Sequence, residues 1–257
     1  MPVHRRLSHR TVNPSEALAR GPAVLDAGGR DAISFWTDVT RPALILGRSA
    51  RDPALDAAAL RDARLTVHQR ASGGGAVLWD SGLLSLDVML PSGHPLLADD
   101  VVATYRWIGE AVRDGLRDVG VDADALTPDD ARGRPAPTTA AAKAACFGTW
   151  APGEVVVEGR KVAGLCQIRR STGGLLQVGI ARSLDNRRLV AVLGGGVADE
   201  RELAERTGGI GELAAETIIT AVDRRLSDAL GPARTDEESA SEVSAAAALA
   251  AGRFAAL

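Results

Sequence analysis

Apolar positions along the chain fall into two rhythms. Residues 99–119, DDVVATYRWIGEAVRDGLRDV, carry apolar side chains at i, i+3, i+4 and i+7, the spacing of an amphipathic helix. Residues 15–30 predict a short helix, and residues 186–194, 199–208 and 211–231 predict three more, each ended by glycine. Residues 52–63 predict another, with Asp52 as N-cap and Pro53 at the first helical position. The second rhythm is that of strands: residues 32–37, 41–49 stopping at Gly47, and 65–70. Residues 77–79 and 83–90 read as two arms of a hairpin turned at Asp80-Ser81-Gly82. Residues 154–170 predict a second hairpin turned at Glu158-Gly159. Gly173-Gly174 reads as a further turn, with 175–181 as the returning strand.

Between these segments the pattern breaks down. Residues 122–145 are rich in Asp, Pro, Thr and Ala and read as a mobile loop with a short helical turn near its end. After Pro232 the chain predicts an alanine-rich helix or a loosely held tail. The expected organisation is one domain over residues 1–231 and a C-terminal segment, 232–257. Strands come in hairpin-like clusters rather than a regular alternation with helices. This predicts an α+β fold with a mixed, mostly antiparallel sheet flanked by helices.

Composition narrows the function classes. The chain has 257 residues, 46% hydrophobic and 25% charged, the mix of an ordinary globular protein. No apolar run of about 18 residues occurs, so no membrane partner is expected. The opening stretch, MPVHRRLSHRTVNPSEALARGP, lacks an apolar leader core, and a cytoplasmic location is expected. Lys and Arg total 30 against 33 Asp and Glu, a net charge of −3 that gives no reason to expect a nucleic-acid partner. Only two of the 30 are lysine, Lys143 and Lys161, and codon bias alone explains such a count. Two cysteines and four scattered histidines predict no metal site.

Three features carry candidate chemistry. Arg70-Ala71-Ser72-Gly73-Gly74-Gly75-Ala76-Val77 joins two strands. Its glycines let a ligand approach the backbone, and Arg70 adds a positive fork for a phosphate, a carboxylate or an acyl carbonyl. It is neither a P-loop nor a dinucleotide fingerprint, and a simple turn between strands would also explain it. Cys146 ends the loop. A cysteine takes an acyl group by thiol exchange and passes it to an amine, and a nearby cation favours the reactive thiolate. No histidine lies near it in the sequence, His94 far upstream being the nearest. The bland reading is a small apolar residue at a loop end, and Cys166 reads as core. Lys161 comes after Cys146, just past the turn of the second hairpin, and reads equally as a solvated strand residue.

These residues resemble the superfamily of lipoate–protein ligases, octanoyltransferases and biotin–protein ligases, over roughly residues 15–230. Arg70 to Val77, continuing to Asp80, is similar to the family signature of the acyl pocket. Gly159-Arg160-Lys161-Val162-Ala163-Gly164 with Gln167 is similar to the segment that bears the family's lysine. Cys146-Phe147, followed by Trp150, Glu154 and Lys161, resembles the cysteine-dependent octanoyltransferases. The segments typical of ATP-dependent lipoate ligases and of biotin ligases are not found. The resemblance implies an acyltransferase with Cys146 and Lys161 as catalytic residues. It places Arg70, Ser72, Gly73, Gly74, Gly75, Ala76, Gly164 and Gln167 at the substrate, with the glycine triplet lining the tunnel mouth. It implies octanoyl-acyl-carrier protein as donor, and a lipoyl domain or a glycine-cleavage H-type protein as acceptor. No cofactor is implied. ATP and Mg enter only in the alternative, a lipoate–protein ligase working through an acyl-adenylate. A second alternative is a homologue that binds without catalysis, because Gln69, Ala50, Trp79 and Val178 depart from residues common in the family.

Overall fold

The two rhythms sort into two sheets and two helical layers in the computed structural model, which describes residues 3–48, 50 and 55–257. In chain order the elements are β1 (His4–Leu7), β2 (Arg10–Val12), α1 (Pro14–Ala27), β3 (Ala32–Val39), β4 (Ala43–Leu46), α2 (Ala57–Asp62), β5 (Thr66–Gln69), β6 (Val77–Trp79), β7 (Leu83–Pro91), α3 (Val101–Asp118), β8 (Ala123–Ala125), α4 (Pro128–Gly133), α5 (Ala140–Ala144), β9 (Val155–Val157), β10 (Arg160–Arg170), β11 (Gly173–Ala181), α6 (Asn186–Val192), α7 (Val197–Arg206), α8 (Ala215–Leu230), β12 (Ala233–Asp236) and α9 (Ala240–Ala251). A single 3-10 turn, Cys146–Gly148, lies between α5 and β9.

The large sheet runs β12-β1-β3-β7-β11-β10-β9-β8, with β2 also on β3. Pairing is antiparallel from β3 through β8, while β1, β2 and β12 join in parallel. The expected α+β fold with a mixed, mostly antiparallel sheet is therefore the one observed. Alternation along β7 assigns its two faces. Leu84, Leu86 and Val88 pack with Ile108, Val112 and Leu116 of α3 and with Val222 and Leu226 of α8. Leu83 and Met89 point the other way, toward α1 and α9. Asp87 lies on that second face, and there the cavity opens.

Several expectations are corrected. The arms of the first hairpin part company: β6 pairs with β4 in a small sheet, β5-β4-β6, whereas β7 enters the large one. The turn between them exists, with the Gly82 N–H donating to Asp80 Oδ1 at 2.8 Å, but it hands the chain from one sheet to the other. Gly173 and Gly174 lie inside β11, and the turn falls one step earlier, at Ser171-Thr172. The segment 122–145 is built of β8, α4 and α5, and the short helical turn expected near its end is α5. Side chains of α7 tether it. Arg206 donates to the carbonyls of Pro135, Ala136 and Gly148 at 2.9–3.3 Å, and Glu202 accepts from the Thr138 and Thr139 N–H groups at 2.8 and 2.7 Å. Beyond residue 231 the expected alanine-rich helix is present as α9, and the segment is part of the fold rather than a loose tail. β12 pairs with β1, and Glu238 reaches Arg20, a fully buried α1 side chain, at 2.8 Å. The helix expected from Asp52 begins at α2 with Asp56 as N-cap, accepting from Ala58 and Ala59 N–H. Asp52 and Pro53 lie outside the described residues.

Candidate active site

The glycine triplet and the cysteine meet through backbone. Ala76 O accepts from Cys146 N–H at 2.7 Å, and Ala76 N–H donates to Ala144 O at 2.7 Å, so the segment after α5 is stitched to the chain entering β6. Gly75 permits this contact, because a Cβ there would stand 2.3 Å from Ala144 O. Gly74 has φ +99°, and a side chain on it would strike the Arg70 guanidinium. The triplet thus lies beneath the cysteine segment, and the cavity is lined instead by the flanking Arg70 and Val77. This corrects the expectation that the glycines form the tunnel mouth.

Arg70 is buried, and its guanidinium is held by carbonyls. Nε and Nη2 donate to Gly73 O at 3.1 and 2.8 Å, and Nη2 donates to Gly75 O at 3.0 Å. Nη2 also lies 3.7 Å from Cys146 Sγ. A fixed positive charge therefore faces a half-buried thiol at the edge of an apolar cavity.

Lys161 comes to the same place by a local irregularity. Its register against β9 shifts between Lys161 and Ala163, a β-bulge. Strict alternation would put Lys161 and Gly164 on opposite faces. The bulge brings them together, so that a Cβ on Gly164 would lie 3.2 Å from Lys161 Cε. Lys161 is 1% exposed. Its Nζ donates to Glu154 Oε1 at 2.7 Å, Cys146 O at 2.9 Å and Thr149 O at 3.1 Å, which uses all three of its N–H bonds. The amine expected to hold an acyl carbonyl thus grips the main chain of the segment that carries Cys146. Burial pushes the Glu154 carboxyl up, and Lys161 with the Ala151 and Leu165 N–H groups opposes this.

The remaining candidates divide. Ser72 is buried and donates to Gln177 Oε1 at 2.9 Å. Gln167 lies on the far face of β10, where it accepts from Arg169 Nε at 2.9 Å, and it does not reach the cavity. Its place on the pocket side falls to Gln177, opposite Cys166 in the sheet register. Cys166, expected in the core, lines the cavity, and burial pushes its thiol up. Of the four departures, Trp79 and Val178 line the cavity, while Gln69 is exposed and donates to Arg48 O at 3.4 Å. Ala50 donates its N–H to Gly47 O at 3.0 Å and is not part of the lining. Asp87 and Gln177 were not singled out by the sequence. A lone acid inside the apolar run LLSLDVML was the available signal.

A model of the lipoyl protein ligase A/B catalytic domain matches residues 13–216. The chain belongs to this family. Within the family, the octanoyltransferase LipM of Exiguobacterium sp. is 36% identical over 143 residues, 54% of this chain and 49% of that protein. The LipM octanoyltransferase of Lysinibacillus sphaericus is 31% identical over 187 residues, 70% of this chain and 66% of that protein. The chain thus spans about half to two thirds of the length of these curated relatives. A lipoate-protein ligase A solved with ATP matches 98% of this chain and 95% of its own at 21% identity and a TM-score of 0.77. A bi-partite lipoate protein ligase of Thermoplasma acidophilum, solved with its E2 lipoyl domain, matches 98% and 93% at 21% identity and a TM-score of 0.78. At this identity the two structures establish the lipoyl ligase fold.

Proposed function

We propose that this chain is an octanoyl or lipoyl acyltransferase that works through a thioester on Cys146. The observation that carries this reading is the Cys146 thiol at the edge of an apolar cavity with the Arg70 guanidinium 3.7 Å away. The similarity to LipM octanoyltransferases over half or more of the chain supports it. The donor is octanoyl-acyl-carrier protein. The Cys146 thiolate attacks the thioester carbonyl, the new S–C bond forms, and the carrier sulfur leaves with the bonding pair and takes up a proton. A neutral lysine amine of the acceptor then attacks the acyl-cysteine. It loses a proton, an amide forms, and Cys146 departs as thiolate. The exchange balances without ATP, metal or a resident cofactor. Arg70 opposes the negative charge on sulfur at both ends of the cycle. Lys161 acts at one remove, holding the carbonyl of Cys146 and so fixing where its sulfur points. The acceptor is a small lipoyl-accepting protein, a lipoyl domain or a glycine-cleavage H-type protein. The Thermoplasma acidophilum ligase solved with its E2 lipoyl domain supports the first.

Mixing the protein with octanoyl-carrier protein and reading the intact mass tests this. The expected result is one octanoyl adduct on Cys146, absent in Cys146→Ser, which passes to an added lipoyl domain without ATP. A transfer rate unchanged in Cys146→Ala overturns the mechanism. Release of pyrophosphate dependent on lipoate and ATP would instead support the ligase route. Acyl binding without turnover of thioester or ATP would support the non-catalytic one.

A further inference from the structure

The cavity floor is crossed by two rows of side chains. Register places Gly164 of β10, Gly179 of β11 and Ser85 of β7 side by side, and Cys166, Gln177 and Asp87 side by side one row further on. All six line the cavity. The first row is nearly without side chains and makes a trough across three strands, about 10 Å long at the usual strand spacing. Cys146 and Phe147 stand at its β10 end, since a Cβ on Gly164 would meet Phe147 at 3.6 Å. Asp87 stands at its β7 end, beneath α1.

The second row is a directed chain of hydrogen bonds. Cys166 Sγ donates to Ser72 Oγ at 3.2 Å, Ser72 Oγ donates to Gln177 Oε1 at 2.9 Å, and Gln177 Nε2 donates to Asp87 Oδ1 at 3.0 Å. Each member donates one hydrogen bond to the next, and the chain ends on a carboxyl. A carboxylate accepts at about four positions. The other oxygen, Oδ2, lies against α1 at Gly21, where a Cβ would stand 2.6 Å from it, so α1 meets it with a residue that has no side chain to donate. Asp87 is 4% exposed, and the opposite bank is formed by Val77, Leu83 and Trp79, whose indole N–H is buried without a partner. A plain hydrocarbon laid in the trough would shut water away from this oxygen and give it nothing in return. Burying a polar group without a partner is costly.

We propose that Asp87 is a specificity-determining residue of the acyl site, and that the site prefers a medium-chain acyl group bearing a hydroxyl donor near its far end. This rests on the acyl-transfer reading, from which the direction of the chain follows: carbonyl at Cys146, tail at Asp87. The hydroxyl donates to Asp87 and continues the row, while the methylenes cover the glycines and the Val77–Trp79–Leu83 bank.

Titration calorimetry at neutral pH with octanoate and with ω-hydroxyoctanoate tests the preference without any transfer step. The unaltered protein should bind the hydroxy acid about tenfold more tightly, the worth of one hydrogen bond to a charged group. In Asp87→Asn the charge is gone, and the hydroxyl, which can donate or accept, is left with a neutral amide, so the preference should shrink well below tenfold. Equal binding of the two acids, or tighter binding of octanoate, by the unaltered protein overturns the proposal with no variant needed. So does a preference that is undiminished in Asp87→Asn. If octanoyl-carrier protein still loads Cys146 in either case, the transferase reading stands and only the specificity is lost. If neither acid binds and Cys146 is not loaded, both fall.

Discussion

At the scale of single residues, two buried carboxyls lie close to the site. Burial pushes the Asp87 carboxyl up to about 6, against the pull of the Gln177 hydrogen bond and the Arg20 charge. Its folded value thus exceeds its unfolded one of about 4. A raised acid favours the folded state fully below the unfolded value, and that contribution is lost as pH rises through about 6. Thermal melts of the protein and of Asp87→Asn should therefore diverge between about pH 4 and pH 6, by no more than about 3 kcal/mol, and run parallel above. Parallel curves throughout would mean that Asp87 titrates normally. Glu154 is different, because its charge is matched by Lys161 at 2.7 Å. Lys161→Met leaves that carboxylate buried alone and should cost about 3–5 kcal/mol in urea unfolding. Pairing Lys161→Met with Glu154→Gln should restore much of the stability. The loading rate of Cys146 should stay low, because nothing then holds its carbonyl. Recovery of rate along with stability would make Lys161 merely structural. Cys146, Arg70 and Lys161 were legible from residue type and motif order. Asp87 and Gln177 were not, because what joins them is cross-strand register, which no local pattern encodes.

At the scale of elements, α7 holds the segment that leads to Cys146. Burial works against its charge, yet hydrogen bonds from Thr138 and Thr139 hold the Glu202 carboxyl down to about 2. A depressed acid contributes above its unfolded value and loses that contribution as pH falls through the folded one. The tether should therefore persist at neutral pH and weaken between about pH 4 and pH 2. Glu202→Gln should speed amide exchange over residues 138–146 roughly tenfold at neutral pH, with α3 and α8 unchanged as the internal control. Uniform protection would show that Arg206 holds the segment alone. Reading 122–145 as a loop fell short for a physical reason. Its local sequence is turn-forming, and its order comes from α7 side chains far along the chain. The β10 bulge was hidden likewise. One extra residue changes which face Lys161 occupies, and composition does not report it. Helices α3, α6, α7 and α8 were legible because their apolar spacing is strong and their packing agrees with it.

At the scale of the whole molecule, the fold is closed by its last residues. Arg20 lies against the Phe35 ring at 4.5 Å, donates to Trp36 O and Thr37 Oγ1, and finds its counter-charge in Glu238. Glu238→Gln should cost about 3–5 kcal/mol in urea unfolding, as removing one partner of a buried pair does, with little change in the rate of Cys146 loading per folded molecule. A loss under about 1 kcal/mol would show that the backbone acceptors suffice. This pairing could not be read from the sequence, since the segment beyond Pro232 is polar, then alanine-rich, with no strand pattern to announce β12.

The same pair sets the order in which the protein can be made. The buried Arg20 guanidinium emerges from the ribosome 218 residues before its carboxylate. Before Glu238 is released, α1 settles on the sheet only by leaving the Arg20 charge without its carboxylate, and α1 roofs the cavity beside Cys146. Contacts so distant along the chain form late. The cavity is therefore firmly assembled only after Glu238 has been made.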